Sequence, residues 1–369
     1  MPKTKKPASA VAGTKTRTRS AAEPADRAGK SRKITINDIA RLSGVSKKTV
    51  SRVINDSPRV NPETRARVSG VIADHGYVPD PQARALAFRR AFMIGLVYDN
   101  PNAQYIVDMQ QGILDAVRGL GFELIIHPCA RLSEQFQSEL MRFVQRQKLL
   151  GIIMPPSVSE DDNACRILRE NECDYVRIAS ISLDEPGNMV VTNDYRGAYE
   201  AAVHLADLGH RRIAFIAGPK TFRSGYERKR GFVLGLEARG LTLDPELALE
   251  GAYTFESGWQ AANILLSHAR PPSAIFAGND EMAAGVIRAA YERGLTIPGD
   301  LSVIGFDDSP IASKVWPPLS SVRLPIRAMG RIAAEKLLQR AGHRLAGDPA
   351  PDEVVPNLVV RQSSAPPKQ

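Results

Sequence analysis

Basic and hydroxyl side chains between residues 46 and 52 have the types and spacing needed to bind DNA. Lys47, Lys48, Thr49 and Arg52 can donate hydrogen bonds to phosphate oxygens and to base edges. Helical spacing places the apolar residues of the same stretch on the opposite face. The pattern predicts a DNA-contacting surface; the alternative is an ordinary helical hairpin with a solvated basic face.

A second group of candidate functional residues follows short apolar runs typical of β-strands. In open parallel sheets, ligands bind beyond the carboxyl ends of the strands. The residues concerned are Tyr105, Ser224, Tyr226, Arg228, Tyr253, Asn279 and Asp307. Aromatic rings, a carboxylate, an amide and an arginine suit a small polar ligand with an apolar face, such as a sugar or a nucleoside. We therefore expect a small-molecule site in a crevice.

Two short helices joined by a turn would position the basic residues. Thr35, with Asp38 three residues later, forms a capping-box pattern that predicts a helix over residues 36–43. Gly44 interrupts this helix, and Ser46 can cap the next one. The apolar residues expected to pack between the two helices are Ile39, Ala40, Leu42, Val50 and Val53. This is the arrangement of a helix-turn-helix, whose second helix enters the major groove.

The pattern continues with a third helix and a short linker. Asn61 and Pro62 predict the start of the third helix, and Gly76 predicts its stop. A fourth helix can begin near Pro81. It would be too short to be stable alone in water, so it needs DNA or its own copy as a partner.

These residues resemble the lactose/galactose-repressor (LacI/GalR) family of transcription regulators over residues 34 to 361. The matching positions are Asp38-Ile39-Ala40, Gly44-Val45-Ser46, Thr49 to Val53, Asn55, Tyr77, Pro79, Ala83, Arg84 and Leu86. The resemblance implies DNA contacts from Thr35, Ser46, Lys47, Lys48, Thr49, Ser51, Arg52, Asn55, Arg59, Ala83 and Leu86. It also implies that Lys47 and Lys48 read bases and that Leu86 is a wedge that enters the minor groove. The alternative for the two lysines is contact with phosphates only.

For the crevice, the resemblance implies an effector site between two lobes of a periplasmic-binding-protein-like core. The positions that match effector-contacting sites of relatives are Tyr105, Ser224, Tyr226, Tyr253, Asn279 and Asp307. The resemblance implies that Tyr253 stacks on the ligand and that Asp307 and Asn279 bond its hydroxyls. Arg228 has a structural alternative, as the partner of a carboxylate. Phe222 stands where a purine-binding relative has arginine, and Asn193 where many relatives have aspartate. These departures favour a sugar or a sugar derivative over a purine.

The fold class expected for the chain is α/β. From Phe92 onward, apolar runs alternate with amphipathic helices, which indicates doubly wound parallel sheets. The expected divisions are a disordered basic tail (1–33), a headpiece (34–79), a hinge helix (80–90), a core (91–361) and a flexible tail (362–369). Within the core, lobe 1 is expected at about 92–191 and 321–344, and lobe 2 at about 192–320 and 352–361. Asp280 is expected to cap the helix that follows it.

Charge and composition support this division. The chain carries 49 Lys and Arg against 40 Asp and Glu, a net charge of +9. The excess lies in the first 90 residues, where a positive field would attract DNA. The basic tail can add phosphate contacts, or it is an incidental extension. No signal peptide or membrane span is expected, and three unpaired cysteines suit a reducing cytoplasm.

Several function classes are disfavoured. The sequence has no nucleophile elbow, no phosphate-cradling glycine loop and no paired histidines with metal spacing, so we expect neither an enzyme nor a cofactor or metal. A transport-associated sugar-binding protein would lack the headpiece. A homodimer on a near-palindromic double-stranded operator is expected, because one headpiece reads few base pairs and because the chain ends without heptads. Repression released by an effector is the expected mechanism, with co-repression and activation left open.

Replacing Lys47 with alanine tests the assignment of base reading. Two lysines favour acceptor-rich edges such as guanine O6 and N7. We expect Lys47→Ala to change the base preference at one operator position, measured by selection from randomised duplexes. An unchanged preference with uniformly weaker binding would show that Lys47 contacts only phosphate.

Overall fold

The computed structural model describes residues 34–54, 57, 59–77, 92–343, 345 and 350–368. The chain divides into two units at Pro79. Several expectations lie outside the described residues: the tail 1–33, the hinge helix 80–90 with Ala83 and Leu86, and the contact from Asn55. Within the described part, no helix is long and apolar enough to cross a membrane.

The first unit contains three helices in its described residues: α1 (Ile36–Ser43), α2 (Lys47–Ile54) and α3 (Pro62–Asp74). The capping box predicted for Thr35 is present, since Asp38 N donates to Thr35 Oγ1 and Thr35 N donates back to the Asp38 carboxylate. Gly44 ends α1 in the left-handed conformation, with φ at 65°. These local signals explain why each helix begins and ends where it does.

A small apolar core holds the three helices together. Ile39 and Ala40 from α1, Val50 and Val53 from α2, and Val68 from α3 are buried in it. The expectation for Leu42 was wrong: its side chain is 45% exposed. The buried face of α1 consists of Ile39, Ala40 and Ser43. Leu42 follows Ile39 by three positions but lies at the edge of this face, on the solvent side.

The second unit contains two lobes, each built on one sheet. The first lobe has strands β1 (Met93–Tyr98), β2 (Glu123–Pro128), β3 (Gly151–Met154), β4 (Asp174–Ala179) and β5 (Met189–Val191), all parallel, in the order β2-β1-β3-β4-β5. Its helices are α4 (Ala103–Val117), α5 (Phe136–Gln147) and α6 (Asp162–Glu170), with 3-10 turns at Val158–Glu160 and Pro186–Asn188. The fully buried strand β3 is apolar throughout, as expected of a strand covered on both faces.

The second lobe has strands β6 (Ile213–Ala217), β7 (Ala248–Glu250), β8 (Ala274–Ala277), β9 (Ser302–Asp307), β10 (Ser320–Arg323) and β11 (Asn357–Val359). Their order is β11-β10-β9-β8-β6-β7, and only β11 runs antiparallel to its neighbour. The helices of this part of the chain are α7 (Asp194–Asp207), α8 (Arg223–Glu237), α9 (Phe255–Leu266), α10 (Asp280–Glu292) and α11 (Pro310–Lys314), with a 3-10 turn at Pro245–Leu247.

The chain crosses between the lobes more than once. After β10, helix α12 (Ile326–Arg340) packs on α4 of the first lobe, and β11 then returns to the second sheet. Gly112 of α4 and Gly330 of α12 allow this pair to approach closely, because a Cβ at Gly112 would lie 1.9 Å from the Arg327 carbonyl oxygen. The expected lobe boundary at 321 would split β10, so the crossing lies after Arg323.

The end of the chain also differs from expectation. The segment 362–368 was expected to be a flexible tail, but it packs along the second lobe. Ser363 is fully buried, accepts from Ser320 N and donates to the Val303 carbonyl. Serine hydroxyls that bond the backbone of β9 and β10 supply this order without apolar side chains, which is why hydropathy missed it.

Candidate functional site

The first unit exposes the basic residues that the sequence singled out. Lys47 and Lys48 are exposed at the start of α2, while Thr49, Ser51 and Arg52 are partly exposed. Ser46 caps α2, since its Oγ accepts from Thr49 N at 3.1 Å. Thr35 and Arg59 are exposed as well. The predicted DNA contacts that lie in the described residues are therefore open to a partner.

The start of α2 is electrostatically unfavourable in the free protein. Its first turn contains Lys47 and Lys48 and no acidic residue. The positive end of the helix dipole repels cations by about 0.3–1 kcal/mol per charge near the surface. A DNA phosphate at this end would reverse the effect, because helix N-termini and lysines both attract anions. The local instability is consistent with a surface that binds a polyanion.

The second unit has a cavity between its lobes that gathers most of the predicted effector contacts. The first lobe contributes Asn100, Asn102, Tyr105 and Pro156 to its lining. The other lining residues follow β5 in the chain: Thr192, Asp194, Phe222, Ser224, Arg228, Tyr253, Asn279, Asp307 and Leu324. Six of the seven predicted residues line it. The shared position follows from parallel sheets, whose strand ends meet at one edge.

Arg228 lies at the centre of the buried charges. Its Nε donates to Asp194 Oδ2 at 2.8 Å, and Nη1 donates to the Gly278 carbonyl. Its Nη2 lies 3.6 Å from Asp307 Oδ1, and its guanidinium carbon lies 3.7 Å from the Phe306 ring centre. Arg228 therefore pairs with carboxylates, which is the structural role expected as the alternative, and it also lines the cavity.

Asp307 and Tyr253 are held in backbone conformations that few residues adopt. Their φ angles are 105° and 60°. Such positions cost about 1–3 kcal/mol each and cluster at binding sites. Burial raises the pKa of Asp307 to about 7; Arg228 partly offsets this effect, and the negative charge of Asp194 adds to it. Asp307 therefore titrates near neutral pH.

Two aromatic residues close the cavity from opposite lobes. Tyr105 is buried, and its hydroxyl has no hydrogen-bond partner among the described residues. Burial raises the pKa of Tyr105 well above its usual value. Tyr253 lies against Gly218, and its hydroxyl is 3.2 Å from Ser224 Oγ. A Cβ at Gly218 would lie 2.1 Å from the Tyr253 ring, so only glycine leaves room for it.

The structure corrects the expected role of Asp280. Asn279 caps α10, accepting from Met282 N at 2.9 Å, and it also donates to the Tyr253 carbonyl at 3.0 Å. Asp280 is the first residue of the helix and accepts from Ser309 and Ser321. Asn279 keeps one N–H and one lone pair for a ligand.

Tyr226 is the one predicted contact that the structure places elsewhere. Its side chain is 68% exposed and lines a different cleft, beside Lys220 and Lys229. Ser224 and Arg228 are four residues apart and share the buried face of α8, so Tyr226 between them points away.

Asp194 is the main residue that sequence reasoning missed. It is buried at the start of α7 and accepts from Thr192 Oγ1 and Arg228 Nε. Its neighbour Asn193, which the sequence analysis compared with an aspartate of relatives, donates to the Glu353 carboxylate and to the Val354 carbonyl instead. The rule used for the other residues, a polar side chain after an apolar strand, applies equally to Asp194 after β5.

The cavity is too small for a ligand in this arrangement. Its volume is about 30 Å³, room for about two water molecules. Small-molecule sites usually measure about 300–1,000 Å³. Entry of a sugar therefore requires the lobes or the lining side chains to move apart.

Two side chains of the first lobe bridge to the second lobe near α8. The Glu160 carboxylate accepts from Arg223 N, with both oxygens at 3.1 Å. Arg131 Nη2 donates to the Thr221 carbonyl at 3.1 Å, while Arg131 N is held by Asp99. Phe222, the residue that precedes α8, offers no side-chain cap of its own. Glu160 therefore supplies from the opposite lobe the anion that the N-terminus of α8 lacks.

A two-lobed core with a buried polar cavity, on the same chain as a helix-turn-helix, defines a class of DNA-binding regulators. Residues 35–80 match the model described as "Bacterial regulatory proteins, lacI family", and residues 202–364 match the "Periplasmic binding protein-like domain". The chain is 36% identical to the HTH-type transcriptional regulator DegA of Bacillus subtilis (strain 168) over 346 residues, which cover 90% of this chain and 99% of DegA. The chain belongs to the LacI family and is a DNA-binding transcriptional regulator.

Solved structures agree with this assignment. A complex of the transcriptional regulator CelR with cellobiose has a TM-score of 0.66 and 31% identity, covering 90% of this chain and all of that chain. The lac repressor dimer bound to operator and the anti-inducer ONPF has a TM-score of 0.75 and 27% identity, with the same coverage. The fold class expected from the sequence is confirmed.

Removing the Glu160 carboxylate should loosen the contact between the lobes. We expect Glu160→Ala to speed amide hydrogen exchange at Arg223 by roughly 10-fold, because a hydrogen bond to a charged acceptor is lost. The matched control is Glu170→Ala, whose carboxylate pairs with Arg166 on the exposed face of α6. Equal protection of Arg223 in wild type and Glu160→Ala would show that the bridge contributes nothing.

Asp307 should make stability depend on pH in a defined direction. Between its ordinary pKa of 3.8 and its folded pKa of about 7, the folded state holds a proton that the unfolded chain has released. The free energy of unfolding should therefore fall as pH rises through this interval, by up to about 1.4 kcal/mol per pH unit, and level off above pH 7. Asp280, whose pKa burial raises to about 8, adds a slope of the same sign. Asp307→Asn should therefore reduce the total slope in urea unfolding between pH 5 and 7 by up to about 1.4 kcal/mol per pH unit and leave the part that Asp280 contributes. A slope as steep in the variant as in the wild type would contradict the assignment.

Proposed function

We propose that this regulator is a homodimeric repressor whose affinity for a near-palindromic operator is controlled by a small sugar-like effector. The observation that carries the effector half is the interlobe cavity. In it the buried hydroxyl of Tyr105 has no hydrogen-bond partner among the described residues, and the carboxylate of Asp307 pairs with Arg228 at 3.6 Å, beyond hydrogen-bonding distance. A ligand that bonds both lobes would satisfy these groups. The cellobiose-bound structure of the similar regulator CelR supports a sugar effector.

Exposed apolar side chains on the core support self-association. They occur on α4 and β2 of the first lobe and on α9 and α10 of the second: Val107, Leu114, Ile126, Trp259, Ile264 and Tyr291, each between 37% and 59% exposed. Large apolar side chains that stay exposed on a single subunit are available to an interface between two copies. A two-fold dimer would bring two headpieces to two half-sites, as its symmetry requires.

The proposed control works through the relative position of the lobes. Because the cavity holds only about two water molecules, the effector must favour a different lobe arrangement from the one described. Glu160 and Arg131 would transmit that change to α8 and the loop before it. A regulator of this kind acts where the chromosome is, and we propose a cytoplasmic location.

The test is genome-wide footprinting of the purified full-length protein, followed by gel shifts with a panel of sugars. We expect a symmetric protected site, and release by at least one sugar that lowers operator affinity by 10-fold or more. The matched control is Lys48→Glu, which should abolish protection while leaving sugar binding intact. Absence of any protected site would refute the operator half, and a sugar that tightens binding would make the protein a co-repressed regulator.

A further inference from the structure

The side chains that line the cavity contain more buried carboxylate than cation. Asp194 and Asp307 are both buried in its wall. Among the described residues that line the cavity, Arg228 is the single cation. The electrostatic balance of the wall is therefore neutral to negative, which disfavours an anionic ligand.

The positive charge of Arg228 already interacts with carboxylates and a carbonyl of the protein itself. Its guanidinium bonds Asp194 and the Gly278 carbonyl, lies 3.6 Å from Asp307 and stacks on Phe306. A ligand carboxylate or phosphate would have to compete with two fixed carboxylates for this one cation. It would also place a third negative charge in a region away from water, where unpaired charges are costly.

The groups that remain unsatisfied suit hydroxyls. The Asp307 carboxylate lines the cavity and pairs with Arg228 at 3.6 Å, beyond hydrogen-bonding distance, so it can accept from a ligand hydroxyl. The Tyr105 hydroxyl is buried without a partner. A ligand hydroxyl can donate to a carboxylate and can either donate to or accept from a tyrosine, whereas a carboxylate or phosphate can only accept at neutral pH.

We infer that the effector is an uncharged polyhydroxyl molecule, and that Asp307 and Asp194 exclude the corresponding sugar acids and sugar phosphates. This inference rests on the proposed sugar-like effector and adds the charge class that the site accepts. Asp307 is then the specificity-determining residue: it bonds a neutral hydroxyl and repels an anion at the same position. Asp194 acts through Arg228, whose charge it neutralises.

The test uses isothermal titration calorimetry on the full-length protein with matched ligand sets at about pH 8, above the pKa of about 7 of Asp307, so that its carboxylate is ionised. Each set shares one skeleton: glucose, galactose or mannose, together with its uronate, its 6-phosphate and its 2-amino sugar. Cellobiose and cellobionate form a fourth pair. In every set that binds, we expect the neutral member to bind about 100-fold more tightly than its acid or phosphate. Tightest binding by an acid, a phosphate or an amino sugar would overturn the inference.

Two variants separate specificity from folding. Asp307→Asn keeps the shape and tolerates the positive φ, so it should fold; we expect the neutral ligand to lose about 10-fold in affinity and the neutral-to-acid ratio to shrink. Tyr105→Phe should weaken the neutral ligand, while Tyr226→Phe, on the exposed face of α8, serves as the matched control and should bind as the wild type does. An unchanged ratio in Asp307→Asn would refute the role of Asp307.

Gel shifts with the same ligands distinguish failure of this inference from failure of the proposed function. If an acid changes operator affinity and its neutral counterpart does not, the proposed function stands and this inference falls. If no member of any set binds while operator binding persists, the sugar effector of the proposed function falls, and this inference falls with it.

Discussion

The buried guanidinium of Arg228 is the interaction on which the receptor core depends. It joins α8 to the start of α7 through Asp194, to the end of β8 through Gly278 and to the end of β9 through Asp307. Loss of one partner in such a buried network typically costs 3–5 kcal/mol, because the other charges remain desolvated and unpaired. The same contacts that hold these segments together also fix the charge of the cavity wall, so packing and ligand recognition share one constraint.

Both candidate sites depart from the rules that govern the rest of the chain. Lys47 and Lys48 stand at the helix end that repels cations, and Asp307 and Tyr253 adopt left-handed backbone conformations. Natural sequences follow local preferences closely except where binding requires otherwise. In the headpiece the unfavourable charge becomes favourable once a phosphate approaches. In the core, Asp307 is the last residue of β9, and Tyr253 lies in the loop between β7 and α9; the surrounding structure holds both in place.

Local signals predicted the parts of the structure that depend on local interactions. Thr35 with Asp38, Ser46 and Asn61 cap the helices that they were expected to cap, because an N-cap bond spans only three residues. The alternation of strands and helices was also readable, although β4 lacks a continuous apolar pattern, since Asp174 and Arg177 interrupt it. Arg177 is buried there because it bonds Ser159 and Asp162, contacts that no sequence window contains.

The sequence by itself determined the α/β class, the helix-turn-helix, the family resemblance and six residues of the cavity, because periodicity, caps and strand-end position are encoded within short stretches. The tertiary structure decided which of those residues face one another and what remains unpaired. It placed Tyr226 outside the cavity, brought Asp194 to Arg228 and ordered the segment around Ser363. Each of these depends either on pairing between residues at least 34 positions apart or on which face of a helix is covered. Burial in a shared core, rather than local propensity, sets both.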